Sequence, residues 1–350
     1  MMKRWQVALG ALVLGSLIPG TALAQSGSHY TVWDYFNNGF STGAADSKWW
    51  YFAAGPFVGN DGIATTSSSG LRVVSKGRNA YSGQPAYTLS LAQEQLNGGL
   101  PGNFDHVKWL AYMNHVASTG QSGFDAVPGY ELACETWISG QTYGTRFHPF
   151  GSAVTDREDD LRLASFAHNT IDLESYMVFD FFFTNKRVYA FYERLPVGRT
   201  AENNYAAFSY AIPVAARSTG SWHNTKIAYN RSTGVVRWIL DGKEVFRVNR
   251  IGRRIDRKWL SIDHGGVEED VSPRQLNCGM GHFTLLDGYL PSKVGLVRLS
   301  SNPNFYFLPP VGAPAPMSFV DQQSNPGSRL FGQGAEMRLL RYVVSSTRVY

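Results

Sequence analysis

Residues 130–138 read Tyr-Glu-Leu-Ala-Cys-Glu-Thr-Trp-Ile, a stretch that alternates in side-chain character as a β-strand does. Successive side chains of an extended chain point to opposite sides. Glu131, Ala133, Glu135 and Trp137 therefore share one face, while Leu132, Cys134 and Thr136 share the other. One face is polar and the other packs. The two glutamates are four positions apart, which at a rise of ~3.3 Å puts their backbones ~13 Å from one another. Two carboxyl groups converging over a sugar are what glycosidic cleavage needs, and a separation of about 5–5.5 Å goes with retention of configuration. The alternative is that both are solvated residues on the outer face of an antiparallel sheet.

Working outward, the same alternation recurs in residues 70–75, 107–113 and 176–183. The chain has 14% aromatic and 17% charged residues and 36 glycines, with short Val, Ile, Tyr and Phe runs between Gly, Asn, Asp and Ser. That predicts an all-β protein, a two-sheet β-sandwich of jelly-roll type with long loops. Residues 89–96 are the best helical candidate, ended by Asn97-Gly98-Gly99. Residues 1–24, with Lys3 and Arg4 before an apolar run and Ala22-Leu23-Ala24 at the end, read as a secretory signal peptide. The remainder, 25–350, reads as one domain with a loop-rich insertion at about 253–328. Without Lys3 and Arg4 the formal net charge falls from +5 to +3, which does not call for nucleic acid as a partner. No stretch after the leader is apolar enough to span a membrane. The expectation is a secreted monomer. Cys134 and Cys278 pair across the fold or remain two buried thiols; the sequence leaves both open.

Two hairpins are legible in residues 222–246, WHNTKIAYNRSTGVVRWILDGKEVF, one closing at Gly234 and the other at Asp241-Gly242, a dipeptide suited to a type I′ turn. This meander resembles that of concanavalin A-like lectins and glucanases, above all family 16 glycoside hydrolases. Residues 33–52, WDYFNNGFSTGAADSKWWYF, are similar to that family's opening, and GLRVVSKG at 70–77 to its first inner strand. AEMRLLRYVV at 335–344 resembles its closing strand, which pairs beside the N-terminal one. The resemblance implies a catalytic strand of the pattern Glu-x-Asp-x-Glu, matched here by Glu131, Ala133 and Glu135, with Glu131 as nucleophile and Glu135 as acid/base. The middle aspartate is absent, since Ala133 supplies neither charge nor hydrogen bond.

Other residues extend the candidate site. Asp180, between Val178 and Phe182 on its strand face, is either the polar centre of a concave surface or a buried group with a partner. Trp137 and Trp109 are candidate sugar-stacking platforms, while Trp222, Trp238 and Trp259 read as core. His115, His168, Arg162 and Tyr176 are the residue types a polysaccharide lyase uses on a uronate chain. Asp263, His264, Arg274 and Gln275 are secondary candidates in the long loops. The histidines show no metal-site spacing, so neither a metal nor a cofactor is expected; an acidic loop at Asp156, Glu158, Asp159 and Asp160 is the one place where structural calcium is considered. The functional expectation is a polysaccharide- or oligosaccharide-directed glycoside hydrolase. Its alternatives are a jelly-roll polysaccharide lyase and a non-catalytic carbohydrate-binding or envelope protein.

Overall fold

The computed structural model describes residues 27–94, 100–309 and 315–349. The leader reading, at 1–24, lies outside them. Two antiparallel sheets of eight and nine strands pack face to face, as the alternating pattern predicts. The first sheet runs in the order Lys243–Val248, Val235–Leu240, His223–Asn230, Tyr130–Tyr143, Gly334–Arg348, Gly70–Ser75, Gly62–Ser67, and His29–Asp34 also pairs with Gly334–Arg348. N- and C-terminal strands thus lie side by side. The second sheet runs Leu260–Asp263, Phe208–Ala216, Arg187–Arg194, Met177–Phe183, Ser165–Asp172, Gln275–Phe283, Val107–Met113, Trp49–Tyr51, with Phe124–Asp125 beside Gln275–Phe283.

Local chemistry sets these elements. Val235–Leu240 alternates strictly between buried and half-buried positions, and the turn after it places Asp241 and Gly242 at φ 50° and 78°, the left-handed conformation a type I′ hairpin requires. Leu132, Cys134 and Ile138 enter the core between the sheets, where they meet Phe166, Phe179, Phe181, Ile227 and Trp238. Each fully buried side chain of this kind contributes on the order of 2 kcal/mol. Cys134 and Cys278 form a disulfide, with Cα atoms 5.8 Å apart, that joins one sheet to the other. The Trp238 indole N–H donates across the interior to the Asp180 carbonyl at 2.7 Å.

The second sheet is covered on both sides. All seven residues of Met177–Phe183, all eight of Ser165–Asp172 and all nine of Gln275–Phe283 are buried. Its outward face carries a second apolar cluster that includes Phe104, Val107, Leu110, Tyr112, Ile171, Val178, Phe182, Phe191 and Phe283. A strand buried on both faces reads as a continuous apolar run, which is the character of Met-Val-Phe-Asp-Phe-Phe-Phe.

Three expectations are corrected here. Residues 89–93 are not helical, because Leu89 and Leu91 N–H groups are drawn off by the carboxylates of Asp61 and Asp105 at 2.8 and 2.6 Å; residues 95 and 96 lie outside the description. Residues 253–328 are not all loop, since they supply the sheet strands Leu260–Asp263 and Gln275–Phe283. Trp222 stands 42% exposed at a strand entrance instead of packing in the core.

Candidate functional site

Glu131, Glu135 and Trp137 lie on the outward face of the first sheet, and each is already engaged. Arg237 donates to the Glu131 carboxylate from Nη2 and Nε at 2.5 and 3.1 Å. Asn224 Nδ2 donates to Glu135 at 2.9 Å, and the Arg341 guanidinium stacks 4.2 Å from the Trp137 ring. Glu131 is thus held in an ion pair and Glu135 in a neutral hydrogen bond, each by a residue of a neighbouring strand.

Four more expected site residues are structural. Trp109 is fully buried between the sheets, because its strand parity turns it inward. His168 is also inside, with Nδ1 2.9 Å from Thr225 Oγ1, and burial lowers its imidazole to about 3. Arg162, 1% exposed, grips Asp160 through Nε and Nη2 at 2.8 and 2.6 Å and braces Ser292, Val294 and Ala153. His115 stacks on Phe124 with ring centroids 4.1 Å apart and contacts the Gly123 carbonyl through Nδ1 at 2.7 Å. The secondary candidates anchor loops: Asp263 pairs with Arg254 and Arg257, His264 meets the Phe305 carbonyl, Arg274 pairs with Glu174, and Gln275 donates to Asp172. The acidic loop is likewise spoken for, by Lys186 on Asp156, Asn185 on Glu158, Arg187 on Asp159 and Arg162 on Asp160. Among the described residues no group of three or more His, Cys, Asp or Glu is placed to hold a metal ion.

Asp180 and Tyr176 do come together, on the outward face of the second sheet. They line a cleft of about 110 Å³ with Asn103, His106, Asn169 and Glu193 as its other polar members and Phe, Leu, Ile, Val and Tyr side chains as its walls. Loops over the sheet form the upper wall, contributing Phe104, Leu173, Leu195 and Val197. Register explains the convergence. Asp180 is opposite Phe191 and Val178 opposite Glu193, so the two carboxyl-bearing residues are diagonal neighbours on adjacent strands, with backbones roughly 7–8 Å apart.

The electrostatics are unlike those of the other face. Burial raises the Asp180 carboxyl well above the usual carboxylate range; hydrogen bonds from the Thr170 N–H and Asn169 Nδ2, both 2.7 Å, oppose the rise and the Glu193 charge adds to it. Burial also pushes Glu193 up to about 7, against the Ser209 hydroxyl and the His106 charge. Burial alone would lower His106, but the Asp287 carboxylate 2.5 Å from Nε2, with Glu193 nearby, holds it above its ordinary value. Tyr306 hydroxyl donates to the other Asp287 oxygen at 2.6 Å and fixes that carboxylate. Two amide oxygens in the lining, Asn103 Oδ1 and Asn169 Oδ1, are buried without a partner among the described residues.

Sequence reading missed Glu193 and the His106–Asp287 pair. A signal for Glu193 was present: in residues 187–194 it shares strand parity with Tyr189 and Phe191, an acid at the end of an otherwise apolar face. His106 and Asp287 are 181 residues apart, and no local pattern joins them.

Residues 33–348 match the family described as "Family of unknown function (DUF6081)", and the chain belongs to it. An uncharacterized protein of Acanthamoeba polyphaga mimivirus is 32% identical over 294 residues, which cover 67% of this chain and 61% of that relative. The chain thus spans about three-fifths of the length of that relative. Among solved structures, a Bacillus licheniformis β-glucanase superposes with a TM-score of 0.39 at 10% identity, covering 93% of this chain and 100% of that one. A Crh5 transglycosylase in complex with NAG gives 0.37 at 11% identity over 93% and 85% of the two chains. A family 7 alginate lyase A1-II′ gives 0.35 at 10% identity over 72% and 75%.

Proposed function

We propose that this protein is a secreted carbohydrate-active enzyme that cleaves a glycosidic bond in the second-sheet cleft. The observation that carries the reading is the convergence of two carboxyl groups, Asp180 and Glu193, from adjacent strands into one apolar pocket. Asp180, whose carboxyl burial raises well above the usual carboxylate range, serves as the acid that protonates the leaving oxygen. Glu193 ionises near 7 and serves as the base or nucleophile. The unpartnered oxygens of Asn103 and Asn169 are acceptors for sugar hydroxyls, and the aromatic walls suit the apolar faces of a pyranose. Neither lysine nor arginine lines the cleft, and the His106 imidazole there is already paired with Asp287, so a uronate carboxylate would find no free cation of the kind lyase chemistry asks for. Secretion is supported by the Cys134–Cys278 bond, which forms in oxidising compartments, and no helix among the described residues is long and apolar enough to cross a membrane.

The test is reducing-end release from a panel of neutral and uronate-containing polysaccharides by the wild type, Asp180→Asn and Glu193→Gln. Product from a neutral chain that both substitutions abolish supports the assignment. An unsaturated product absorbing in the ultraviolet, or full activity in Glu193→Gln, overturns it.

A further inference from the structure

A second concavity lies on the opposite sheet from the cleft. It is a groove of about 380 Å³ at the edge of the first sheet, lined by Thr65, Arg72, Lys76, Arg78 and Tyr143 among others. Arg72, Lys76 and Arg78 are all exposed: Arg72 lies in the strand Gly70–Ser75, Lys76 at the bend after it and Arg78 in the short strand that follows, so the three cations succeed one another along the groove wall. Charge here is not balanced. No carboxylate lines the groove, and Glu336, buried beside it, is already shared by Arg72 at 2.8 Å, Arg338 at 2.6 Å and the Tyr143 hydroxyl at 3.0 Å. Lys76 has no ion pair or hydrogen bond among the described residues, and the Arg78 guanidinium meets a backbone carbonyl, that of Gly83, at 3.0 Å.

The hairpin that carries Arg78 and Pro85 into the groove wall ends in Tyr81, the most exposed large apolar side chain described, at 88%. Tyr81 stacks on Phe147 with centroids 5.8 Å apart, and Arg146 sits 4.7 Å over the Phe147 ring. Phe147 belongs to the turn that follows Tyr143 on the groove's other side. A set of unbalanced cations thus leads toward a ring pair whose outer member, Tyr81, is exposed.

We infer that this groove is a second glycan-binding site, specific for a sugar chain bearing carboxylate or sulfate groups. Guanidinium and ammonium groups recognise the anionic substituents, the former by two-pronged hydrogen bonds, and the Tyr81–Phe147 pair offers a face for a sugar ring. A disulfide is of the kind that persists in oxidising compartments, outside the cytosol and nucleus, which favours a glycan over a nucleic acid as the polyanion. Binding there requires nothing of Asp180 or Glu193.

Affinity electrophoresis tests this with the full chain in gels containing polygalacturonate, a sulfated galactan, a neutral β-glucan or single-stranded RNA. The expected result is retardation by at least one acidic glycan, weakened at least 10-fold in Lys76→Ala/Arg78→Ala, weakened in Tyr81→Ala, reduced by salt, and unchanged in Glu193→Gln. Retardation by the polygalacturonate or by the sulfated galactan tells carboxylate from sulfate recognition and supports the site in either case. Equal binding by the double variant at unchanged Tm, tighter binding to RNA than to either acidic glycan, or no retardation by either glycan overturns the inference. Loss of cleavage in Glu193→Gln with binding retained separates this site from the cleft.

Discussion

The outward faces of the two sheets are built from the same strand alternation and end in opposite chemistry. On the first, Glu131 is ion-paired by Arg237 and Glu135 is hydrogen-bonded by Asn224 at partly exposed positions. On the second, Asp180 and Glu193 are enclosed by loops and aromatic side chains, and burial raises both carboxyls. Carboxylates in a strand are thus not a site by themselves. What lies over the face decides whether their protons are held near neutrality.

The sharpest way to break the contrast is to remove a carboxyl from each face. Glu193→Gln and Asp180→Asn should lower kcat by about 10²–10⁴-fold, whereas Glu131→Gln and Glu135→Gln should stay within about twofold. Activity that follows the first sheet instead would reverse the assignment of the two faces.

Cutting the bond between the sheets should harm both faces alike. Cys134 and Cys278 are 144 residues apart, and replacing both with alanine should cost about 2–5 kcal/mol in urea unfolding. A loss of activity without a loss of stability would show that the bond serves the cleft alone.

Glu193 should also trade stability for reactivity. Its folded value of about 7 lies above the ordinary 4.5. The folded state therefore holds a proton that the unfolded chain has released, and the stability present below pH ~4.5 is lost as pH rises through ~7. Glu193→Gln should equal the wild type at pH 4 and exceed it by up to about 3 kcal/mol at pH 8. Wild-type kcat should rise with pH through the same window, as Glu193 ionises. A flat stability difference between pH 4 and 8 would place Glu193 in water. The smallest effect belongs to the open face: Arg237→Ala, breaking the pair with Glu131, should cost about 0–1 kcal/mol, fading in salt.

The fold was largely legible and the site only partly so. Alternation in 70–75 and 235–240, and the Asp241-Gly242 turn, announced antiparallel strands because one face of each is wet. Gln275–Phe283 escaped because its two glycines and its polar residues read as loop, whereas Met177–Phe183, as fully buried, was legible from its apolar run. Asp180 stood out as an acid amid phenylalanines and does line the cleft. Glu131 and Glu135 looked equally suggestive, since a strand's sequence tells which side chains share a face but not which faces the loops will cover. His106 and Asp287 meet only through the tertiary fold, one before the strand Val107–Met113 and the other after Gln275–Phe283.

The Cys134–Cys278 bond acts mechanically as a rivet through the two plates of the sandwich. A riveted pair of plates cannot slide, so a pull on one sheet is carried directly into the other. The cleft lies on the outward side of the second plate, so the rivet steadies its floor while its far wall is made by loops, where Tyr176 packs against Gly198 so closely that an added Cβ would lie 1.9 Å from its ring. Any side chain larger than glycine at position 198 would therefore have to displace Tyr176, and with it the loop side of the cleft.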